Sequence, residues 1–194
     1  MDQRPLLAIF VGGKSSRMGT HKGLLVAPGR SETIVESLVR LGREAGLDPA
    51  LIGDARPYLG LVPEIARIDD DPPNGGPLAG LRAAARHALG AGRSHLVAVA
   101  CDMPYVTVEA LRQASEHPSS AAVLAPRRGR DAPWEPMLAR YEAARIVDVL
   151  DETIVARARS FQKLFETIEV DPLPLSPAVA RALRDWDTPG DIEP

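Results

Sequence analysis

A chain of 194 residues with 45% apolar and 25% charged residues can bury a substantial core in one domain and has an ordinary globular composition, which excludes disordered and fibrous classes. Its formal net charge of −3 argues against nucleic acid or a membrane as partner and requires any polyanion to be held by a local basic cluster. The single cysteine, Cys101, cannot form an internal disulfide, the four scattered histidines lack metal-ligand spacing, and the apolar run that opens the chain is too short for a signal or membrane segment, so the expected location is the cytoplasm.

That run, residues 6–11, predicts a buried strand, and glycines begin where it must turn sharply. The turn reads V-G-G-K-S-S-R-M-G-T-H-K-G over residues 11–23. Its glycines let bare backbone amides approach an anion closely, while Lys14, Arg17 and Lys22 neutralise it. A phosphate chain bound at the carboxyl end of a strand suits this composition. Gly13-Lys14-Ser15 imitates the end of a P-loop, but the glycine that motif needs five residues before Gly13 is Ala8, and the spacing of Gly12, Gly13 and Gly19 fails the dinucleotide fingerprint as well. A plain surface turn, the alternative, leaves so many glycines and spaced cations without a purpose.

Residues 24–26 predict a short extended piece. A helix follows over 33–45, with Ile34, Leu38 and Leu41 on one face and Gly46 as its stop. Strands over 49–53 and 65–68 continue an alternating β/α pattern, the second running into Asp69-Asp70-Asp71. The stretch D-D-D-P-P-N-G-G-P-L-A-G-L over 69–81 ends that strand in acids and opens a helix at Gly76-Pro77 that runs to about Leu89. It reads either as a generic βα connection or as a ligand turn rich in carboxylates. Residues 95–106, H-L-V-A-V-A-C-D-M-P-Y-V, place Asp102 at the carboxyl end of a central strand. If the sheet is parallel there, Asp102 shares an edge with the glycine loop and is the natural Mg²⁺ ligand beside a triphosphate. Cys101 reads as a packed residue rather than a nucleophile, since no cation or histidine adjoins it in sequence.

A strand over 121–125 leads to Pro126-Arg127-Arg128-Gly129-Arg130-Asp131, and residues 137–141 return as its antiparallel partner. Arg127, Arg128 and Arg130 are either a solvated hairpin tip or a grip on a second anionic substrate, with Trp134 and Glu135 flanking the same place. Helices are expected over 142–152, 160–166 and 176–183, with a strand at 167–170. The ending D-W-D-T-P over 185–189 sets two acids on one face of an extended segment. Asp187 is then either a second metal carboxylate or, with Thr188, a cap for a terminal turn at Pro189. No repeat, low-complexity tract or linker divides the chain, so one domain over residues 1–194 is expected.

Five stretches in this order, residues 10–25, 71–81, 101–104, 135–141 and 185–189, resemble the molybdenum cofactor guanylyltransferases of the nucleotide-diphospho-sugar-transferase-like superfamily. The resemblance implies a three-layer α/β/α, Rossmann-like nucleotidyltransferase fold with a mostly parallel mixed sheet. It implies GTP and molybdopterin as substrates, Mg²⁺ as cofactor, and transfer of GMP to the terminal phosphate of molybdopterin with release of pyrophosphate. Transient contact with cofactor-handling proteins goes with that role, and an oligomeric state does not follow from it. Carried over by position, the nucleotide site comprises Val11, Gly12, Gly13, Lys14, Ser15, Arg17, Lys22, Gly53, Asp70, Gly76, Pro77 and Asp102. Gly12 and Gly13 look like the guanine and phosphate contact, Lys22 the phosphate anchor, Arg17 the group that stabilises leaving pyrophosphate, and Asp70 the acceptor for guanine N–H groups. Asp102 and Asp187 would hold the metal; Arg17, Lys22 and Asp102 are the catalytic set.

The chain departs from the family pattern at His21, where an acid is common; at Phe10-Val11, bulkier than the usual Leu-Ala; and at Gly53-Asp54, where asparagine is frequent. A cytidylyltransferase acting on the same pterin is the nearest rival, though a methyl at Gly12 would crowd a purine and its absence favours guanine. A sugar-1-phosphate nucleotidyltransferase and a non-catalytic nucleotide-binding regulator are the remaining readings.

Overall fold

The computed structural model describes residues 4–11, 21–27, 29–73, 75–155 and 160–186. A seven-stranded sheet runs through the protein in the order β3-β2-β1-β4-β6-β5-β7. Its strands are β1 (Leu6–Phe10), β2 (Asp48–Ile52), β3 (Ala66–Ile68), β4 (His95–Ala100), β5 (Val123–Ala125), β6 (Ala139–Glu142) and β7 (Val170–Pro172). β6 runs antiparallel to both of its neighbours, and the other pairings are parallel. The mostly parallel mixed sheet expected from the sequence is therefore present.

β1 and residues 96–100 of β4 are apolar because helices cover both faces of the sheet. Alternate residues feed two cores. Leu7, Ile9, Val97 and Val99 pack against α1 (Ile34–Glu44), α3 (Val108–Glu116) and α6 (Pro177–Ala182). Leu6, Ala8, Leu96 and Ala98 face α2 (Pro77–Gly90), α4 (Ala143–Val155) and α5 (Phe161–Phe165). α1, α3, α5 and α6 start on side-chain caps that satisfy amides otherwise left without partners. Thr33 and Glu36 form a reciprocal capping box on α1, and Thr107 and Ser176 cap α3 and α6.

Several element boundaries differ from expectation, β5 beginning at Val123 and β6 at Ala139 among them. Residues 24–26 are not simply extended: Lys22–Leu24 closes into a 3₁₀ turn, and Val26 forms an isolated bridge to Thr33. α4 continues to Val155. The seventh strand begins at Val170 because Thr167 still belongs to the end of α5, where its N–H and hydroxyl both donate to the Leu164 carbonyl.

Sheet order determines where a ligand can sit. From β1 the chain moves to β2 and β3 on one side and then crosses to β4 on the other, so the order reverses beside β1. The crevice at such a switch point, outside the carboxyl ends of the strands, is where open α/β sheets bind ligands. Phe10 is level with Ile52 on one side and Ala100 on the other. The ladder then extends one step, with Val11 N–H donating to the Ile52 carbonyl and Cys101 N–H to that of Phe10. Among the described residues no helix is long and apolar enough to cross a membrane.

Candidate active site

Asp102 and Lys22 meet at this edge. Lys22 Nζ donates to Asp102 Oδ2 over 3.0 Å, with the two side chains 15% and 23% exposed. Partial burial limits solvent screening, so the pair is a stronger local dipole than a surface bridge. Lys22 stands on the 3₁₀ turn, and Asp102 follows the end of β4 by two residues. Behind Asp102, the Trp186 N–H donates to the Asp102 carbonyl over 3.0 Å, tying the C-terminal segment to this edge.

The second part of the site is a pocket of about 470 Å³ at the ends of β2 and β3, bordered by Gly53, Asp54, Arg56, Leu59, Arg67, Asp69 and Asp70. The three consecutive acids have separate fates. Asp71 is bound by Arg82 and Arg86, which stand four apart on α2 and also hold Asp151 of α4. Asp69 is exposed. Asp70 is half-buried in the pocket wall, and burial, followed by the neighbouring charge of Asp69, pushes its carboxyl above the usual range. α2 begins close beneath it: a Cβ added to Gly80 would lie 3.0 Å from Asp70 Oδ1, Ile52 Cγ2 and Phe10 Cε1. Glycine at 80 thus lets the helix approach both the strands and the pocket acid.

Asp54 is engaged within its own loop. Its carboxylate accepts from Arg56 Nε at 2.7 Å, Arg56 Nη2 at 2.6 Å and the Arg56 N–H at 3.2 Å. The Arg56 guanidinium accordingly lowers its pKa to about 2. Gly76 is the N-cap residue of α2 and Pro77 its first residue, both beside the acid turn. Val11 is buried, and its N–H is used by the sheet.

The cationic hairpin is largely tied down. Arg127 stacks over Trp134 at 4.3 Å from the ring centroid. Arg128 donates to Glu135 at 3.0 Å and to the Leu183 carbonyl at 2.7 Å, and Arg130 is exposed at the tip. Gly12, Gly13, Lys14, Ser15, Arg17 and Asp187 lie outside the described residues.

One residue beneath the site, Tyr58, lacked a signal in the sequence. Tyr58, from the 3₁₀ turn Arg56–Tyr58 after β2, is buried beneath Gly23. Burial drives its hydroxyl well above the ordinary tyrosine range, and burial also pushes the Cys101 thiol up to about 11. Cys101 is therefore a poor nucleophile at neutral pH, consistent with a packed residue. The Arg82–Arg86 clamp had a partial signal in its spacing of four on one helix face.

Among the described residues no group of three His, Cys, Asp or Glu side chains gathers into a metal cage. Magnesium in nucleotide sites takes only one or two carboxylates and fills its shell with phosphate oxygens and water. A partly buried oxygen donor at a strand end, as Asp102 is, fits that requirement.

The family model described as MobA-like NTP transferase domain matches residues 7–170. The chain belongs to this family. It is 30% identical over 198 residues to the probable molybdenum cofactor guanylyltransferase of Carboxydothermus hydrogenoformans, covering 98% of this chain and 94% of that protein. It is 33% identical over 147 residues to the molybdenum cofactor guanylyltransferase of Xanthomonas euvesicatoria pv. vesicatoria, covering 73% of this chain and 68% of the relative. Its fold is similar to the crystal structure of molybdopterin-guanine dinucleotide biosynthesis protein A from Archaeoglobus fulgidus, with a TM-score of 0.75, 24% identity, and coverage of 96% of this chain and 94% of the other. As a MobA-like NTP transferase the chain is a nucleotidyltransferase, and the α/β fold expected from the sequence is the fold of the family.

Proposed function

We propose that this protein transfers GMP from GTP to the terminal phosphate of molybdopterin, releasing pyrophosphate and forming the guanine dinucleotide cofactor. The observation that carries the reading is the Lys22–Asp102 pair at the switch point, level with an acid-walled pocket two strands away. In this reading guanine occupies the pocket at the ends of β2 and β3, where the ionised Asp70 accepts from its N–H groups. The triphosphate then crosses the end of β1 toward Lys22 and Asp102.

The nucleophile is a phosphate oxygen already ionised near neutral pH, so no strong general base is needed. It forms a bond to the α-phosphorus of GTP as the bond from that phosphorus to the bridging oxygen breaks, and the electron pair leaves with pyrophosphate. The work left to the protein is alignment and charge neutralisation. Lys22 exchanges its contact with Asp102 for phosphate oxygens, and Arg17 holds the leaving group. Asp102, with Asp187 as second carboxylate, is the site proposed for Mg²⁺, which when bound there supplies positive charge between two anions. The C-terminal segment reaches this place through the Trp186–Asp102 hydrogen bond. Arg130, with Arg127, Arg128 and Glu135 around it, is proposed to border the pterin phosphate.

Calorimetric titration with GTP, CTP, ATP and UTP in the presence of Mg²⁺ tests the nucleotide assignment. GTP should bind most tightly. A preference for CTP overturns the guanine assignment, and tight GTP binding without transfer favours a regulator.

A further inference from the structure

Lysine is a point charge on a flexible stem, so its usefulness at a reacting centre depends on how firmly its backbone is placed. The Lys22 turn is three residues long, and its side-chain caps are absent. Its support comes from another element. Tyr58, 1% exposed, lies directly beneath the turn. A Cβ added to Gly23 would stand 2.9 Å from Tyr58 Cε1, 3.0 Å from the Tyr58 hydroxyl and 2.6 Å from Val35 Cγ2, so the Gly23 backbone rests directly on the ring. On the other side of Lys22, the His21 ring meets the Tyr58 ring edge-on, with centroids 6.2 Å apart and planes at 70°. Both sequence neighbours of the lysine are seated on one aromatic side chain. His21, the departure from the family's usual acid, is one of them.

The same side chain reaches the other half of the ion pair. The Tyr58 hydroxyl faces the Gly23 backbone and interacts electrostatically with Cys101, the residue that precedes Asp102. Cys101 is itself fixed to β1 by its N–H bond to the Phe10 carbonyl. We infer that Tyr58 is a positioning residue for nucleotidyl transfer, a buried platform that holds the Lys22 turn in register with Asp102. This rests on the reading of Lys22 as the phosphate anchor. Tyr58 touches neither substrate nor reacting atom in this role. Its hydroxyl stays protonated, since burial disfavours the phenolate.

A tyrosine that merely fills the core would impair the protein equally whether or not Lys22 is present, whereas a platform for Lys22 loses its effect when the ammonium is gone. A double-mutant cycle separates the two. Turnover and Mg²⁺–nucleotide affinity are measured for the wild type, Tyr58→Phe, Tyr58→Leu, Lys22→Met and both double variants, using whichever of GTP, CTP, ATP and UTP binds most tightly. Thermal unfolding is followed in parallel. We expect Tyr58→Leu to lower turnover about tenfold and Tyr58→Phe about threefold in the wild-type background, and each to cost under about twofold in the Lys22→Met background. Tyr58→Phe keeps the buried ring, so the cycle stands if Tyr58→Leu does not fold. Equal losses in both backgrounds, or full turnover in the Tyr58 variants, overturn the positioning role while leaving Lys22 as anchor. If Lys22→Met itself leaves affinity and turnover unchanged, the anchor reading fails and the platform with it.

Discussion

The N–H of Trp186 donates a 3.0 Å hydrogen bond to the carbonyl oxygen of Asp102, joining the last described segment of the chain to the end of β4. Trp186 is 1% exposed, meets Tyr105 edge-on with ring centroids 6.3 Å apart, and packs into the core shared by α1, α3 and α6. Its indole anchors the backbone that leads from the core toward Asp187.

Trp186→Ala should therefore destabilise the protein by about 3–5 kcal/mol, the range for emptying a large buried aromatic site. Trp186→Phe should cost much less, because among the described residues the indole Nε1 is buried without a hydrogen-bond partner, so no such bond is lost with it. Urea unfolding of both variants provides the comparison. Equal stability of the two would show that the indole is not the anchor.

Asp102→Asn keeps the shape of the side chain but removes its charge. Turnover should fall by about 10²–10³, the range for removing one group that stabilises transition-state charge. GTP affinity should change far less. Steady-state rates at saturating Mg²⁺ check this, and near-normal turnover there contradicts the assignment of Asp102.

Asp70→Asn should weaken GTP binding about tenfold to a hundredfold, the worth of hydrogen bonds to a charged acceptor. Burial first and Asp69 second raise the Asp70 pKa in the folded state. Its contribution to stability is therefore present below the unfolded value and lost as pH rises through the folded value. At neutral pH the charged form carries a burial penalty, so Asp70→Asn should hold or raise the melting temperature while impairing binding. In the wild type, GTP affinity should decline on acidification at a pH above the ordinary aspartate value of about 3.9. Titration calorimetry across pH, repeated with Asp70→Asn, should show that this step disappears.

Gly80→Ala tests the same acid from below. The added methyl would sit 3.0 Å from Asp70 Oδ1 and from two strand side chains, a contact relieved by moving Asp70 or α2. We expect a loss of about 1–3 kcal/mol in stability together with a higher KM for GTP and an unchanged preference among nucleotides. A KM equal to that of the wild type would show that Asp70 is not held by this contact.

The fold was legible where local pattern and tertiary role agree. β1 and residues 96–100 of β4 are continuous apolar runs because both faces are buried, and the spacing of Ile34, Leu38 and Leu41 marks the buried face of α1. The place of Asp102 was legible because an acid that follows an apolar strand falls at the carboxyl end of that strand. Within Asp69-Asp70-Asp71 the sequence did not distinguish the members, since what separates them is distant: Arg82 and Arg86 claim Asp71, and the approach of Gly80 leaves Asp70 in the pocket wall. Tyr58 was invisible for the same reason. R-P-Y-L after a strand reads as a turn, and only the folded chain brings the ring beneath Gly23. Arg127 and Arg128 lie in the hairpin tip read from the sequence, and what the sequence did not show is that their cations are braced by Trp134, Glu135 and the Leu183 carbonyl.

Guanylyl transfer itself is the central claim, and product analysis tests it most directly. Purified protein is incubated with molybdopterin, Mg²⁺ and an equal mixture of GTP and CTP, with pyrophosphate release followed alongside mass spectrometry of the pterin product. The account predicts a guanine dinucleotide formed in step with pyrophosphate. A cytosine dinucleotide, or no transfer while GTP is bound, would contradict it.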